Sequence, residues 1–376
     1  MRTLTIISHT EHYQRKDGRV VGLGATVMEI NHLLDIFDTI YHVAMLHKGV
    51  APDNCLEYVS KRIVFVPIPP VGGKTWIDKG AMLWRMPRIL NRVRKTLKQT
   101  DYFQFRAPTG IGVFIVPYLI FLHKGKGWFK YAGNWSAKQS PLAYRFQNFL
   151  LKRQRRLVTM NGRWPEQPKH CISFENPCLT ADEVIEGEIL INQKYFEPGH
   201  INFCFVGRLE PQKGLDILLE ALSGLSESDK TKIQVVHIVG GGSQLEAYKR
   251  RAQNLTINIR FHGVLSRTAV HDIYKTSHVL ILPSHSEGFP KVVAEALNYG
   301  CLPMVSNIPA IGDYVIAGES GFLFDRLEPD YVSKQIRQLL AVNQISFSKM
   351  IKSGHNVSRV FTYNQYNRNL FKYILN

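Results

Sequence analysis

The sequence predicts an α/β protein made of two open, doubly wound parallel-sheet domains. Three observations carry this expectation. At 376 residues the chain exceeds one comfortable core, so two domains are expected. Short apolar runs alternate with helical patterns, the rhythm of strands joined by crossovers. The alternation then restarts after an acidic, irregular stretch over residues 178–200 that ends in Glu197-Pro198-Gly199-His200.

Residues 4–8 (LTIIS) read as the first buried strand. A loop follows that holds His9, His12 and the glycines Gly18, Gly22 and Gly24. Residues 26–37 have helical spacing through Val27, Ile30, Leu33 and Leu34. Further strands are expected over 39–46, 63–66, 102–105, 128–131, 157–160 and 170–174. Residues 178–200 read as a linker with the boundary near Pro198, giving domains over 1–197 and 198–361. The second series starts at 201–206 (INFCFV) and continues through 234–239, 257–261, 279–282 and 302–305. The last stretch, 362–376, places Tyr363, Tyr366, Leu370, Phe371 and Ile374 at helical spacing and can pack back on the first domain.

A hydrophobic content of 45% is that of an ordinary globular protein. The five cysteines are scattered without a C-x-x-C pair, which argues against a disulfide framework or a zinc site and fits a reducing cytoplasm. The opening MRTLTIIS runs straight into a strand pattern, so no signal peptide is expected. Residues 111–122, the longest apolar run, are interrupted by Pro117 and too short for a bilayer core of about 30 Å. The net charge of +17 is lopsided. Residues 1–180 hold 27 Lys and Arg against 11 Asp and Glu; the remainder holds 20 against 19. Nucleic acid, an anionic membrane or an acidic substrate would each suit the basic half.

The chemistry-bearing stretch is 284–295, SHSEGFPKVVAE. An apolar strand pattern leads into a polar turn with Glu287, Gly288 and Phe289, and a helical pattern follows Pro290 and contains Glu295. Strand-end loops that feed helix N-termini bind anions in open α/β sheets. Two carboxylates beside such a site call for a ligand that also offers hydroxyls, and a sugar nucleotide offers both. A second motif, FVGRLEPQKGLD over 205–216, brings Gly207 for close backbone approach, and its Arg208 and Lys213 suit phosphate as well as they suit an ordinary βα loop with solvated charges. The weaker VGGG run at 239–242, with Gly240, reads first as a tight turn. The run FHGV at 261–264, ending in Val264, is a strand end that could offer backbone to a base.

In order and spacing these four motifs resemble the group 1 family of retaining glycosyltransferases with the GT-B fold, in which two Rossmann-like domains face each other across a cleft. The likeness is strong from residue 201 to about 325 and weak before it. It implies a nucleoside-diphosphate sugar as substrate, UDP- or GDP-linked, and no metal or other cofactor. Arg208 and Lys213 would neutralise the diphosphate, and Glu287 would contact hydroxyls of the transferred sugar. Amides around Gly288, Phe289 and Pro290 would line sugar and phosphate, and Glu295 would hold the ribose. Where many relatives carry a His, this chain has Asn134; His9, His12 and Arg106 are alternatives for acceptor or sugar contact, and Gly22 and Gly24 could bring the first loop near the diphosphate.

Two basic, aromatic segments, 84–95 and 144–156, suit a helix lying on anionic lipid, although burial of their apolar faces is the commoner case. The expectation is a cytoplasmic hexosyltransferase, peripheral to the inner face of the membrane. It would serve a glycan or lipid-linked oligosaccharide acceptor in capsule, exopolysaccharide or lipopolysaccharide synthesis, with no nucleic-acid partner. The alternatives are a sugar-nucleotide epimerase of the same fold and a non-catalytic basic nucleic-acid- or membrane-binding protein.

Overall fold

The computed structural model describes residues 1–73, 76–135, 141–164 and 167–376, the side chains of 76–79 excepted. The chain divides into two compact units, Met1–Asn176 with Tyr363–Asn376, and Pro177–Thr362.

The first unit holds β1 (Thr3–Gln14), β2 (Val20–Leu23), β3 (Thr39–His47), β4 (Cys55–Glu57), β5 (Ile63–Ile68), β6 (Tyr102–Ala107), β7 (Lys126–Tyr131), β8 (Val158–Met160) and β9 (Cys171–Ser173). Its parallel sheet runs β5-β3-β1-β6-β7-β8-β9. The central strand β1 buries every residue from Leu4 to Ser8, as a strand covered on both faces must. Trp128, Phe37 and Ile30 fill one layer of the core, and Tyr366 and Leu370 of the helix Tyr363–Leu370 close it. Each such apolar side chain contributes about 1.5–3 kcal/mol when fully buried.

The first loop differs from expectation. Past Ile7 the strand β1 leaves β6, continues to Gln14 and turns into an antiparallel hairpin with β2, to which β4 adds. His9 and His12 therefore sit on a strand, and Gly22 lies opposite His12 in the ladder. Alternation in this polar hairpin is too weak to distinguish it from a loop.

The second unit holds β10 (Ile201–Val206), β11 (Ile233–Val239), β12 (Ile259–Gly263), β13 (Val279–Leu282), β14 (Leu302–Ser306) and β15 (Phe322–Phe324). All pair in parallel in the order β12-β11-β10-β13-β14-β15. The order reverses between β10 and β13, and crevices at such switch points are where these sheets hold ligands.

The stretch expected as a linker is instead part of this unit. Residues Ala181–Ile191 form a helix started by a reciprocal capping box between Thr180 and Glu183. Its acidic residues made it look solvated, but Val184, Gly187 and Ile191 face inward. Gly187 is pressed against the Asn298 carbonyl, with no room for a Cβ. The unit boundary thus falls at 176/177, not near Pro198.

Candidate functional site

In the second unit, backbone hydrogen bonds stitch together the loops after β10, β11 and β12. Gly207 N–H donates to Val239 O at 3.0 Å, Gly240 N–H to Gly263 O at 2.8 Å, and Leu209 N–H to Gly241 O at 2.9 Å. Close approach dictates the glycines. Gly240 has φ +137°, and a Cβ there would lie 1.8 Å from the Gly207 carbonyl oxygen. At Gly242 it would lie 2.4 Å from Leu209 O. The VGGG run is thus a packing device that shapes the strand ends. Arg208 and Val264 are exposed beside it.

Lys213 ends a short 3-10 turn, Pro211–Lys213, and Gly214 follows in the left-handed region at φ +73°, against the Pro283 carbonyl. This turn is tied to the loop after β13 by the His285 N–H, which donates to Gln212 O at 3.0 Å. The two loops bring Lys213 Nζ onto the Glu287 carboxylate, an ion pair joining residues 74 apart in the chain. Both side chains are mostly buried, 20% and 10% exposed. Phe289 is a structural anchor: its ring stacks on Phe361 at 4.4 Å and meets Tyr314 edge-on at 5.0 Å. Pro290 then caps the helix Lys291–Asn298.

Glu295 projects from that helix into an ionic cluster that sequence reasoning missed. Burial pushes its carboxyl above the usual range, and Arg267 and Lys291 pull it back down. Arg267 grips Glu183 with both guanidinium NH groups and also donates to Cys178 O. Glu183 loses solvation there, but the Arg267 hydrogen bonds and charge outweigh that and lower its pKa. His271, beside Glu183, is held down to about 4 by burial and stays neutral. The S-R-T-A start of the helix Arg267–Thr276 gave no usable signal, because its partner lies 84 residues away.

In the first unit a cavity of about 510 Å³ opens at the C-terminal ends of β1, β6 and β7. His9 and Arg106 line it, whereas His12 is fully buried and cannot touch a ligand. His9 Nε2 donates to Val71 O at 2.6 Å, and burial lowers its pKa. Arg106 is committed to Glu29 at 2.9 Å and Gln104 at 3.0 Å, and Glu29 also takes Lys130 at 2.6 Å. Gly22 makes space for the His12 ring, since a Cβ there would lie 2.4 Å from Nε2. Gly24 packs on Asn54 O in the same way. Both glycines thus have structural reasons to be glycine. Asn134 follows β7 in a loop, half-buried.

Residues 188–357 match the family described as glycosyl transferases group 1. The full chain shares its fold with a sucrose-phosphate synthase from Thermosynechococcus elongatus, with a TM-score of 0.71 at 14% identity over 99% of this chain and 98% of that one. It is also similar in fold to an Anabaena protein, Alr3699/HepE, solved with UDP and glucose: TM-score 0.68, 13% identity, 99% of both chains covered. The architecture is GT-B. By sequence the chain is 26% identical over 194 residues to an uncharacterized glycosyltransferase of Methanocaldococcus jannaschii, covering 51% of each. The chain spans about half the length of that curated relative.

On the first unit's surface, Phe146 and Phe149 are exposed; the helix Leu142–Arg153 buries Gln147 and Leu151 instead. Trp84, in the helix Trp76–Leu97, is 88% exposed. Among the described residues no helix is long and apolar enough to cross a membrane.

Proposed function

We propose that the chain is a retaining glycosyltransferase that moves a hexosyl unit from a nucleoside-diphosphate sugar to a glycan or lipid-linked acceptor in cell-surface polysaccharide synthesis. One observation carries the reading: the Lys213–Glu287 pair, held by two strand-end loops on either side of the switch point. Arg208 and Lys213 take the diphosphate, whose growing negative charge on departure they stabilise. Glu287 accepts hydrogen bonds from the transferred sugar, with the Gly288 and Phe289 amides beside it and Pro290, which has no N–H, closing the turn. Glu295 holds the ribose hydroxyls. In the donor-free protein Glu287 keeps Lys213 in place until phosphate oxygens compete for it.

Replacing Glu287 by Ala should abolish transfer while circular dichroism keeps the wild-type fold, at a stability cost of about 2–3 kcal/mol for leaving Lys213 without its buried partner. Transfer at the wild-type rate would sink the assignment. Incubating the wild type with nucleotide sugar alone separates transferase from epimerase, because only an epimerase interconverts the donor without an acceptor.

A lipid-linked acceptor places the enzyme at a membrane surface. Exposed Trp84 and Phe149 amid Arg85, Arg88, Arg145 and Arg153 support that placement, apolar rings inserting while cations meet anionic headgroups. Co-sedimentation with phosphatidylglycerol vesicles should weaken several-fold in a Trp84→Ser, Phe149→Ser double variant. Equal pelleting of variant and wild type contradicts the surface.

A further inference from the structure

Lys194 lies in the second unit just past the helix Ala181–Ile191, and its side chain is buried. Its Nζ donates to the Tyr274 carbonyl at 3.0 Å and to the Tyr299 carbonyl at 2.8 Å. Tyr274 belongs to the last turn of the helix Arg267–Thr276, and Tyr299 is the C-cap of the helix Lys291–Asn298. Both are carbonyls that a helix end leaves without an intrahelical partner. One ammonium group thus closes the C-terminal ends of two helices. Gly300, at φ +64°, passes close beside the lysine stem, where a Cβ would lie 3.3 Å from Lys194 Cδ.

The charge is not cancelled where it sits. The ionisable groups that face it are Cys204, Cys301 and His278, none of them a carboxylate. Burial pushes the Cys301 thiol well up, so it stays neutral. Burial, with the Lys194 charge second, holds His278 down to about 4, so it is neutral as well. Burial also lowers Lys194 itself to about 8, which leaves it mostly charged at pH 7.

The field of this cation runs along the helix Lys291–Asn298. An anion at a helix N-terminus and a cation at its C-terminus each interact favourably with the helix dipole. This helix has eight residues and begins directly after the turn that carries Glu287. It is about 12 Å long, which sets the ammonium about 15 Å from an anion at the other end. At an effective dielectric of about 20, a unit charge at about 15 Å changes affinity about fivefold for each phosphate charge. The two helices that Lys194 joins also carry Arg267 and Glu295, one on each.

From this arrangement we infer that Lys194 is a positioning residue for the donor: its buried ammonium ties two helix ends together and, through the helix Lys291–Asn298, strengthens the hold on a diphosphate at the opposite end. The inference rests on the transferase reading, with the diphosphate as that of the nucleotide sugar.

The test measures binding of UDP-glucose and GDP-mannose to the full-length protein by calorimetry, and of uridine and guanosine by displacement. Lys194→Met should weaken the nucleotide sugar that binds by about five- to tenfold. The matching nucleoside should stay within about twofold, because only the phosphates feel the lost charge. The diphosphate keeps its charge between pH 7 and pH 9, so wild-type affinity should fall as pH rises through about 8, where Lys194 loses its proton. The Met variant should lack that step. Stability runs the other way: between about 8 and the unfolded value of 10.5 the unfolded chain binds more protons, so the wild type gains on the Met variant as pH rises. Equal losses for nucleoside and nucleotide sugar, no loss, or the same pH step in the Met variant would each overturn the inference. Should Lys194→Met not fold, Lys194→Gln, which keeps N–H donors without the charge, provides the same comparison. A wild type that binds neither nucleotide sugar refutes the transferase reading and this inference with it. Binding and transfer that are intact, and unchanged in the variant, refute only the role given to Lys194.

Discussion

The two units use the same parallel architecture and place polar residues at the same end of their sheets, yet they build those sites differently. In the second unit the site comes from consecutive residues on strand-end loops, Gly207 to Gly214 and Ser284 to Glu295, and glycine contacts set the loop shapes. In the first unit the polar groups behind the cavity, Ser8, His42 and Tyr58, lie on separate elements and meet through hydrogen bonds, and a hairpin makes room for His12. One site is written as motifs and the other as a network.

The largest effect that separates them should come from Glu287→Ala, which removes transfer outright but leaves the first unit's hydrogen-bonded groups untouched. Next is Gly240→Ala. Its Cβ would strike the Gly207 carbonyl at a φ that side chains rarely adopt, so a stability loss of about 2–4 kcal/mol is expected in denaturant unfolding. Unchanged stability would mean that the three loops are not locked together.

Smaller is Arg267→Ala. It leaves Glu183 half-buried without its cation and should cost about 2–3 kcal/mol, and nucleotide affinity should fall with it because Glu295 loses a neighbouring charge. A double variant with Glu183→Gln should recover part of the stability but not the affinity.

Per residue and per pH unit, the smallest effect is spread over both units. His12, His271 and His278 are buried and held down to about 4, below their unfolded value of 6.5. Between these values the unfolded chain binds more protons, so stability falls as pH drops from 6.5 toward 4, by up to about 1.4 kcal/mol per pH unit for each histidine. Glu183 works in the same direction at lower pH: its contribution is complete above 4.5 and lost as pH falls through its lowered folded value. Chemical denaturation at pH 7, 6 and 5 checks the slope, and His271→Asn should flatten it.

How much of this was readable in advance follows from the same contrast. Most parallel strands were legible because runs such as INFCFV and VLIL are apolar on both faces, and β10 and β13 lie where those runs were expected, whereas the short β15 was not foreseen. The loop cations and carboxylates were legible because their spacing is local. The helix Ala181–Ile191 was hidden by its acidic face, although its Thr180-x-x-Glu183 start was a usable signal. The cluster of Arg267 with Glu183, and that of Glu29 with Arg106 and Lys130, depend on pairings across 77 to 101 residues, which periodicity and spacing do not encode.

The central claim is that the Lys213–Glu287 pair marks a donor-sugar site. It is tested most directly by thermal shift with a panel of nucleoside diphosphates and their sugar conjugates, on the wild type and on Glu287→Ala. A ligand at a hundred times its Kd stabilises by about 2.7 kcal/mol, enough to read as a shift of several degrees. One nucleotide sugar should stabilise the wild type beyond its parent nucleoside diphosphate, and Glu287→Ala should keep the nucleotide's shift while losing the sugar's increment. An unchanged increment in the variant, or no shift with any nucleotide, would contradict the account.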